Sequence, residues 1–291
     1  MARGQLSLKE ALVVSRPFWW LTTSVPFIVG ALLAEGKLSL TLVVGAFYFL
    51  IPYNLLLYGV NDIFDYESDI RNERKTGAVH GSVLARIKHP SLWRWIIFTN
   101  VPFALFFAVT GNIESTVFLI MMSYLVLAYS VAGLRYKEIP FIDSLTSGFH
   151  YASPFLFALF LFASPDLWSP AFAGFYFWAV GNHAFGAVQD IVPDREARIK
   201  SIATYLGAGK TMVFCFFAYA LAVIAPVLGY GLHGLVALAA IAPYFLVMLS
   251  VFRYRKNERS QRFRRAWRKF VVLNYVVGGI GSLALIYLYN R

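Results

Sequence analysis

The sequence predicts an all-α protein that crosses a membrane about nine times. Three observations lead to this fold class: an apolar composition, long unbroken apolar runs, and basic residues gathered on one side of those runs. Of the 291 residues, 59% are hydrophobic and 14% are charged, and the mean hydropathy is +0.62. Soluble domains carry roughly 45–50% apolar and about 25% charged residues. This difference weighs against an ordinary soluble enzyme and against a disordered chain.

The apolar runs are each close to the roughly 20 residues that a helix needs to cross the hydrocarbon core. They are continuous rather than alternating, which favours helices over a barrel. The predicted spans cover residues 17–35, 39–60, 95–111, 116–134, 142–163, 169–188, 211–230, 234–252 and 270–289. We expect the first span to be retained rather than cleaved as a signal peptide. We also expect a single integral-membrane domain over residues 1–291.

The net charge of +11 is distributed asymmetrically about these spans. With nine spans, 24 of the 26 lysine and arginine residues lie on the side of the N-terminus, and only Lys37 and Arg291 lie opposite. Basic residues accumulate on the cytoplasmic face of membrane proteins. The pattern therefore predicts a multi-pass protein of the cell membrane with a cytoplasmic N-terminus and a C-terminus on the other side. The basic residues are therefore explained by their position beside a lipid bilayer, and we expect no nucleic-acid partner.

Polar residues inside the spans favour the cytoplasmic half, as do most acids. Buried polar groups are costly unless they have partners or water. Their bias indicates a cavity entered from the cytoplasmic side, and the alternative is that each residue joins neighbouring helices. The polar residues are Asn54, Tyr58, Asn100, His150, Asn182, His183, Gln189 and Asn274.

Two segments concentrate the acids at the cytoplasmic ends of the second and sixth spans. In residues 58–69, Asn61, Asp65 and Asp69 are spaced i, i+4, i+8 and share one face of a continued helix. Asp62 lies about 100° round from that face. In residues 189–194, Asp190 and Asp194 form another i, i+4 pair, although Pro193 makes a regular helix there less certain.

Carboxylates stacked in this way repel one another unless a cation offsets their charge. Oxygen ligands suit Mg²⁺, which keeps waters and binds substrate phosphates. Two such clusters predict Mg²⁺ ions that bridge a diphosphate, with nearby basic residues neutralising the remaining charge. The alternative for either cluster alone is a solvated, salt-bridged loop.

Three motifs resemble those of the UbiA superfamily of intramembrane prenyltransferases. Asn61-Asp62-x-x-Asp65-x-x-x-Asp69 followed by Arg74 resembles the first aspartate-rich motif of that family. Asp190-x-x-x-Asp194 followed by Lys200-Ser201 and Thr204 resembles the second. Tyr129-Ser130, Leu134-Arg135-Tyr136-Lys137 and Asp143 resemble the segment between the fourth and fifth helices. Their order, spacing and placement agree over most of the chain.

Within the superfamily the sequence is most similar to lycopene elongases. The similarity rests on residues 15–20 (Ser-Arg-Pro-Phe-Trp-Trp), 61–72 and 189–197. The chain departs from the broader family pattern at three places: no Arg-Pro pair stands at Ala78-Val79, Arg198 replaces a common glycine, and Ala132-Gly133 replaces a frequent proline pair. These departures weigh against an aromatic-acid acceptor more than against the metal chemistry.

The resemblance implies helices around a central cavity, with a metal site at its cytoplasmic mouth. It implies that Mg²⁺ is held by Asn61, Asp65, Asp69, Asp190 and Asp194, of which the four aspartates are the catalytic residues. It implies that the substrate diphosphate is contacted by Arg74, Arg135, Lys137 and Lys200. Hydrogen bonds over the leaving group are assigned to Tyr129 and Ser130, and Asp62 is a weaker member of the substrate-binding set.

The implied reaction transfers an allylic prenyl group, dimethylallyl in the first instance, to the end of lycopene or a related carotenoid. An alternative within the family is an aromatic, quinone-precursor or other lipid acceptor. A cation transporter is a rival of a different class, since intramembrane acids also form ion paths. The outer halves of the spans are nearly bare of charge, which argues against a transporter.

Overall fold

The computed structural model describes residues 4–35, 37–70, 83–162, 170–259 and 261–289. Every regular element within these ranges is helical, which confirms the all-α membrane fold. Seven stretches of the described residues are helical, long and apolar enough to cross a membrane. They contain eight of the nine predicted spans, because the stretch Ile202–Phe252 includes two. The count of nine is therefore approximate.

The chain divides into two compact units, and helix α8 (Ile142–Phe162) begins in one and ends in the other. The first unit is Met1–Arg135 with Ser153–Pro165, and the second is Tyr136–Ala152 with Asp166–Arg291. The single domain over residues 1–291 stays a prediction, as do the choice of membrane and the sides on which the termini lie.

The described residues of the first unit form seven complete α-helices before α8. They are α1 (Leu8–Val14), α2 (Leu21–Glu35), α3 (Leu40–Leu50), α4 (Pro52–Phe64), α5 (Tyr66–Asp69), α6 (His89–Thr110) and α7 (Ile113–Ser130). Hydrogen-bonding side chains set several helix starts: Ser7 with Glu10 and Asn112 with Ser115 form capping boxes. The core is an aromatic cluster in which the rings of Phe49 and Phe157 lie 5.7 Å apart.

The second predicted span is interrupted at Ile51, between α3 and α4. Pro52 lacks a backbone N–H and cannot continue the hydrogen-bond ladder of α3. The carbonyls of Phe49 and Leu50 accept hydrogen bonds from the Asn54 amide at 2.8 and 3.1 Å instead. Asn100 on α6 donates to the Pro52 carbonyl at 3.0 Å. These bonds favour the helix-joining alternative for both asparagines.

Among its described residues, the second unit continues with five α-helices after the start of α8. They are α9 (Pro170–Val188), α10 (Ile191–Glu196), α11 (Ile202–Tyr230), α12 (Val236–Phe252) and α13 (Gln261–Tyr289). Helix α9 corresponds to the sixth predicted span. It is not among the seven apolar stretches, because Asn182, His183 and several glycines lower its hydropathy. Gly207, with φ of 73°, breaks α11 near its start.

A buried polar network joins four helices of the second unit. The Tyr219 hydroxyl donates to the Asn182 side-chain oxygen at 2.8 Å, and the Asn182 amide donates to Asn274 at 3.2 Å. Tyr244 donates to the same oxygen of Asn274 at 3.1 Å. Asn182 and Asn274 were expected near a cavity, and these contacts again favour the helix-joining alternative.

Candidate active site

The first acid motif lies where α4 ends and the one-turn helix α5 follows. The backbone N–H of Asp65 donates to the Asn61 carbonyl at 2.9 Å, and that of Asp69 donates to the Asp65 carbonyl at 2.8 Å. Helical hydrogen bonds therefore continue through Asp65 although the regular helix stops at Phe64. The backbone bonds keep the i, i+4, i+8 spacing, and the placement of the three side chains on one face stays a prediction.

The end of α7 and the turn that follows it approach this motif. The Asn61 amide donates to the Ser130 hydroxyl at 3.3 Å. The Arg135 guanidinium contacts the Asp65 carboxylate at 3.5 Å, and their side chains are 31% and 16% exposed. Arg135 has a left-handed backbone with φ of 42°. The first unit thus brings four of the predicted site residues together, and Tyr129 lies half-buried next to Ser130.

Asp62 faces a different neighbour from Asn61 and Asp65. Its carboxylate accepts a hydrogen bond from the Arg16 guanidinium at 2.6 Å, in a pair whose side chains are only 4% and 5% exposed. The guanidinium also lies 5.3 Å from the ring centroid of Tyr58, one turn earlier on α4. The predicted contact of Asp62 with substrate stays a prediction, and the bond to Arg16 ties its carboxylate to the N-terminal segment, residues 4–20. The sequence placed Arg16 among the basic residues of the cytoplasmic side and within the resembling residues 15–20, and it assigned Arg16 no role.

The second acid motif lies in the second unit, between α9 and α10. Asp190 immediately precedes α10, and the N–H of Asp194 donates to the Asp190 carbonyl at 2.9 Å. Both side chains are half-buried. Pro193 lies in the first turn of α10, where a helix needs no N–H donor from it. The i, i+4 geometry therefore survives the proline that made it uncertain from sequence.

The segment after this motif is fixed by a buried aspartate. Asp143 at the start of α8 accepts hydrogen bonds from the backbone N–H of Ile202 at 2.8 Å and of Ser144 at 2.7 Å. Ser201 and Thr204 form a capping box that begins α11. The family pattern of Ser201 and Thr204 thus has a local structural cause, and it sets where the exposed Lys200 stands.

Ser144, the neighbour of Asp143 in the chain, has a polar contact on α9. The Ser144 hydroxyl lies 3.1 Å from Nδ1 of His183. Sequence reasoning noticed Asp143 only as part of a resembling segment and assigned it no role. An acid at the first turn of an apolar helix was the available signal, because it can accept from free backbone N–H groups.

The remaining predicted residues are placed as follows. Lys137 is half-buried in a 3₁₀ turn, Tyr136–Glu138, at the start of the second unit. Arg74 lies outside the described residues. The proximity of the first motif to the second stays a prediction.

The oxygen donors of each motif suit a hard divalent cation that takes its remaining ligands from water or from substrate phosphate. The first motif offers one amide oxygen and two carboxylates, and the second offers two carboxylates. Within neither unit do three acidic, histidine or cysteine side chains of the described residues cluster closely enough to hold a metal by themselves. Mg²⁺ commonly keeps waters and takes phosphate oxygens in such sites. The chemistry of these side chains therefore suits Mg²⁺ bound together with a diphosphate.

Solved structures with the same fold include prenyl-diphosphate complexes. A UbiA homolog from Archaeoglobus fulgidus bound to DMAPP and Mg²⁺ is similar with a TM-score of 0.71 and 17% identity, covering 92% of this chain and 98% of that one. The same homolog bound to GPP and Mg²⁺ gives a TM-score of 0.67 at 17% identity, covering 92% and 99%. At these identities the likeness establishes the fold alone.

Curated relatives are closer in sequence. The chain is 36% identical to a lycopene elongase/hydratase of Corynebacterium glutamicum over 96% of this chain and 97% of the relative. This chain is also 42% identical to the C(50) beta-cyclic carotenoids biosynthesis protein LbtBC of Dietzia sp. (strain CQ4), over 91% of this chain. The match spans 61% of the length of that relative. The profile of the UbiA prenyltransferase family matches residues 23–275, and the chain therefore belongs to this family of membrane prenyltransferases.

Proposed function

We propose that this prenyltransferase moves an allylic prenyl group, dimethylallyl in the first instance, from its diphosphate to the end of lycopene or a related carotenoid in a Mg²⁺-dependent reaction. The observation that carries the proposal is the near full-length similarity to a protein named lycopene elongase/hydratase. The grouping of Asn61, Asp65, Ser130 and Arg135 supports it, since these are the side chains that a diphosphate site needs.

The first step is ionisation of the allylic diphosphate. The C–O bond breaks, and its electron pair leaves with the diphosphate. Bound Mg²⁺ supplies charge stabilisation to that leaving group. Arg135, beside Asp65, would add a fixed positive charge. Ser130, which accepts a hydrogen bond from the Asn61 amide, would donate its hydroxyl hydrogen to the leaving group. Preorganised donors of this kind contribute most of the rate in such reactions.

The second step is attack by the acceptor. The terminal double bond of the carotenoid supplies the electron pair for a new C–C bond to the allylic carbon. The tertiary cation that results loses a proton or captures water. The aromatic content of 18% provides ring faces that steady cations, and an apolar surrounding keeps bulk water away. An apolar acceptor that arrives through the bilayer suits a protein whose exposed helix surfaces are rich in large hydrophobic residues.

The experiment that tests the proposal is pigment analysis by mass spectrometry after expression in a host that makes lycopene. We expect lycopene to be replaced by products heavier by one or two prenyl units, with or without added water. An Asp65→Ala variant, expressed at the same level, controls for host enzymes.

Isolated membranes then discriminate the acceptor class. They are incubated with dimethylallyl diphosphate, Mg²⁺ and either lycopene or an aromatic acid. Consumption of lycopene alone supports the proposal. Prenylation of the aromatic acid with lycopene unchanged contradicts it and favours the quinone-precursor alternative.

A further inference from the structure

The Arg16–Asp62 pair lies at the edge of the first acid motif and is sealed from solvent. Both side chains are about one-twentieth exposed, and the Nη2–Oδ1 distance is 2.6 Å. A second guanidinium nitrogen donates to the Val14 carbonyl at 3.4 Å. The Tyr58 ring adds a cation–π contact. A buried arginine with this many contacts is held in one position, unlike the solvated cations that collect on the cytoplasmic face of a membrane protein.

The backbone at Arg16 is held in an unfavourable conformation. Arg16 has φ of 55° and ψ of 73°, in the left-handed region that non-glycine residues rarely adopt. The residue that follows is Pro17, which pushes its predecessor towards an extended backbone. The Trp20 indole donates to the Ser15 carbonyl at 3.1 Å and fixes the turn around it. Such strain persists where the surrounding contacts determine the conformation, and it concentrates at functional sites.

Helix geometry separates Asp62 from the side chains predicted to hold Mg²⁺. Tyr58 and Asp62 are one turn apart and both contact Arg16. Asn61 and Asp65 are also one turn apart, and they contact Ser130 and Arg135. The end of α4 therefore presents two faces: one is fixed by the N-terminal segment, and the other carries the polar site.

We propose that Arg16 is a positioning residue of the active site, and that Asp62 is its counter-ion rather than a ligand of the metal. The pair neutralises the Asp62 carboxylate, which lies three residues from Asp65, and fixes the rotation of α4 so that Asn61 and Asp65 face the substrate. This inference rests on the proposed function and assigns residues within its site.

Loss of one partner has a different consequence from loss of both. Without Arg16, the Asp62 carboxylate loses its guanidinium partner, and α4 loses the contact that fixes its rotation, so Asn61 and Asp65 no longer face the cation together. In R16Q/D62N both partners are neutral, and we expect their side-chain amides to hydrogen bond to each other and to hold the rotation of α4. We therefore expect the affinity for Mg²⁺ to fall when Arg16 alone is replaced and to stay the same when Arg16 and Asp62 are replaced together.

The test is a Mg²⁺ titration of the full-length protein in detergent, in the presence of inorganic diphosphate and without any acceptor. The tryptophan fluorescence reports binding, since Trp19 and Trp20 lie close to Arg16 in the chain, and the unfolding temperature is measured separately. We expect R16Q to raise the Mg²⁺ midpoint roughly tenfold, as loss of an outer partner of a metal site does. We expect R16Q/D62N to return within about twofold of the wild type.

The control is the ion pair between Lys88 and Glu10, which also ties the N-terminal segment to the first unit but is partly exposed. E10Q/K88Q is expected to leave the Mg²⁺ midpoint unchanged. The proposal is overturned if R16Q lowers the unfolding temperature without moving the midpoint, because Arg16 is then merely structural. It is also overturned if D62N and R16Q/D62N raise the midpoint equally, because Asp62 is then a ligand. If R16Q does not fold, D62N and R16Q/D62N decide together: a midpoint raised in D62N and restored in the double variant supports the proposal, and any other pair of results overturns it.

A D65N variant separates this inference from the function on which it rests. A wild-type response to Mg²⁺ in D65N contradicts the proposed metal site itself. A lost response in D65N, together with a midpoint that stays raised in R16Q/D62N, contradicts only the role of Arg16.

Discussion

The two acid motifs are each supported by one buried aspartate, and the two aspartates have different partners. Asp62 in the first unit pairs with the side chain of Arg16. Asp143 in the second unit accepts from the backbone N–H groups of Ser144 and Ile202. A side-chain partner can be removed by a single substitution, which leaves a buried charge behind. Backbone donors cannot be removed in that way, so the support of the second motif is less easily lost.

The exposure of the aspartates also differs, and it determines which of them a solvated ion can reach. Asp65 is partly exposed, Asp190 and Asp194 are half-buried, and the two supporting aspartates are almost fully buried. Burial thus separates these three acids, which can meet a solvated ion, from the two that hold neighbouring segments in place. Asp69, at the end of the first motif, is buried as well and is the exception among the predicted ligands.

Substitution of an available acid is expected to abolish turnover. We expect Asp65→Ala and Asp190→Ala each to lower the rate of lycopene consumption by a factor on the order of 10³ while the protein stays folded, because each removes a ligand from the charge-stabilising site. The rate is measured in membranes with equal amounts of protein. Full activity in either variant would show that the substituted residue is not a ligand of the metal. The two motifs would then differ in function.

Two arginines with left-handed backbones provide a matched pair, one in each unit. Arg135 contacts Asp65, whereas Arg198 is exposed and makes no side-chain hydrogen bond or ion pair with the described residues. We expect Arg135→Gln to lower kcat/KM about tenfold or more, because it removes positive charge at the diphosphate. Arg198→Gln is expected to change it by less than about twofold. Equal losses in the two variants would mean that general surface charge, and no local contact, matters.

Weakening the support of the second motif is expected to cost stability. Asp143→Asn replaces an acceptor-only carboxylate with an amide, so one of the two backbone N–H groups loses its acceptor. We expect the free energy of unfolding to fall by about 2 kcal/mol, measured by thermal or denaturant unfolding in detergent.

Glu114→Gln is the matched control for this substitution, since Glu114 also lies in the first turn of an apolar helix but is exposed. Its effect is expected to stay below about 0.5 kcal/mol. An equally small effect of Asp143→Asn would show that the carboxylate does not hold the segment in place.

The sequence predicted the helices well where hydropathy alone decides them. Long apolar runs must form helices in lipid, so the spans and their order could be found without a structure. The interruption at Ile51 was missed because large hydrophobic residues lie on both sides of Pro52, and hydropathy does not reveal the bonds from the Asn54 amide to the Phe49 and Leu50 carbonyls that accommodate the break. The start of α11 was placed too late, since Gly207 breaks the helix between its capped beginning and the apolar run.

The site could be predicted as a set of residues more readily than as a set of roles. The spacing of Asn61 and Asp65 was enough to place both on one face. The same spacing could not reveal that Asp62 has a buried partner, because its counter-charge lies 46 residues earlier in the chain. Arg198 illustrates a recoverable signal: it stands where the resemblance to the family implies a glycine, and the residue here has φ of 57°, a conformation that glycine adopts without strain.

A small effect is expected at the partly exposed ion pair between Lys88 and Glu10, which is the exposed counterpart of the buried pair Arg16–Asp62. A hydrogen bond from Lys88 holds the pKa of the Glu10 carboxyl below its ordinary value of 4.5, and the Ser7 backbone adds to the effect. A lowered pKa means that Glu10 contributes stability above its unfolded pKa and loses it as the pH falls through the lower, folded value. The Lys88 and Glu10 side chains are 27% and 35% exposed, so solvent screens much of this contribution.

We therefore expect the unfolding temperature of the wild type to fall relative to that of Glu10→Gln as the pH is lowered below about 4.5, and the two curves to run parallel at neutral pH. The measurement is the unfolding temperature in detergent from about pH 3 to about pH 7. Parallel curves over the whole range would show that Glu10 and Lys88 do not interact in solution. Such a result would leave the buried pair at Arg16 as the principal electrostatic link between the N-terminal segment and the helices of the first unit, because the exposed pair would then contribute nothing.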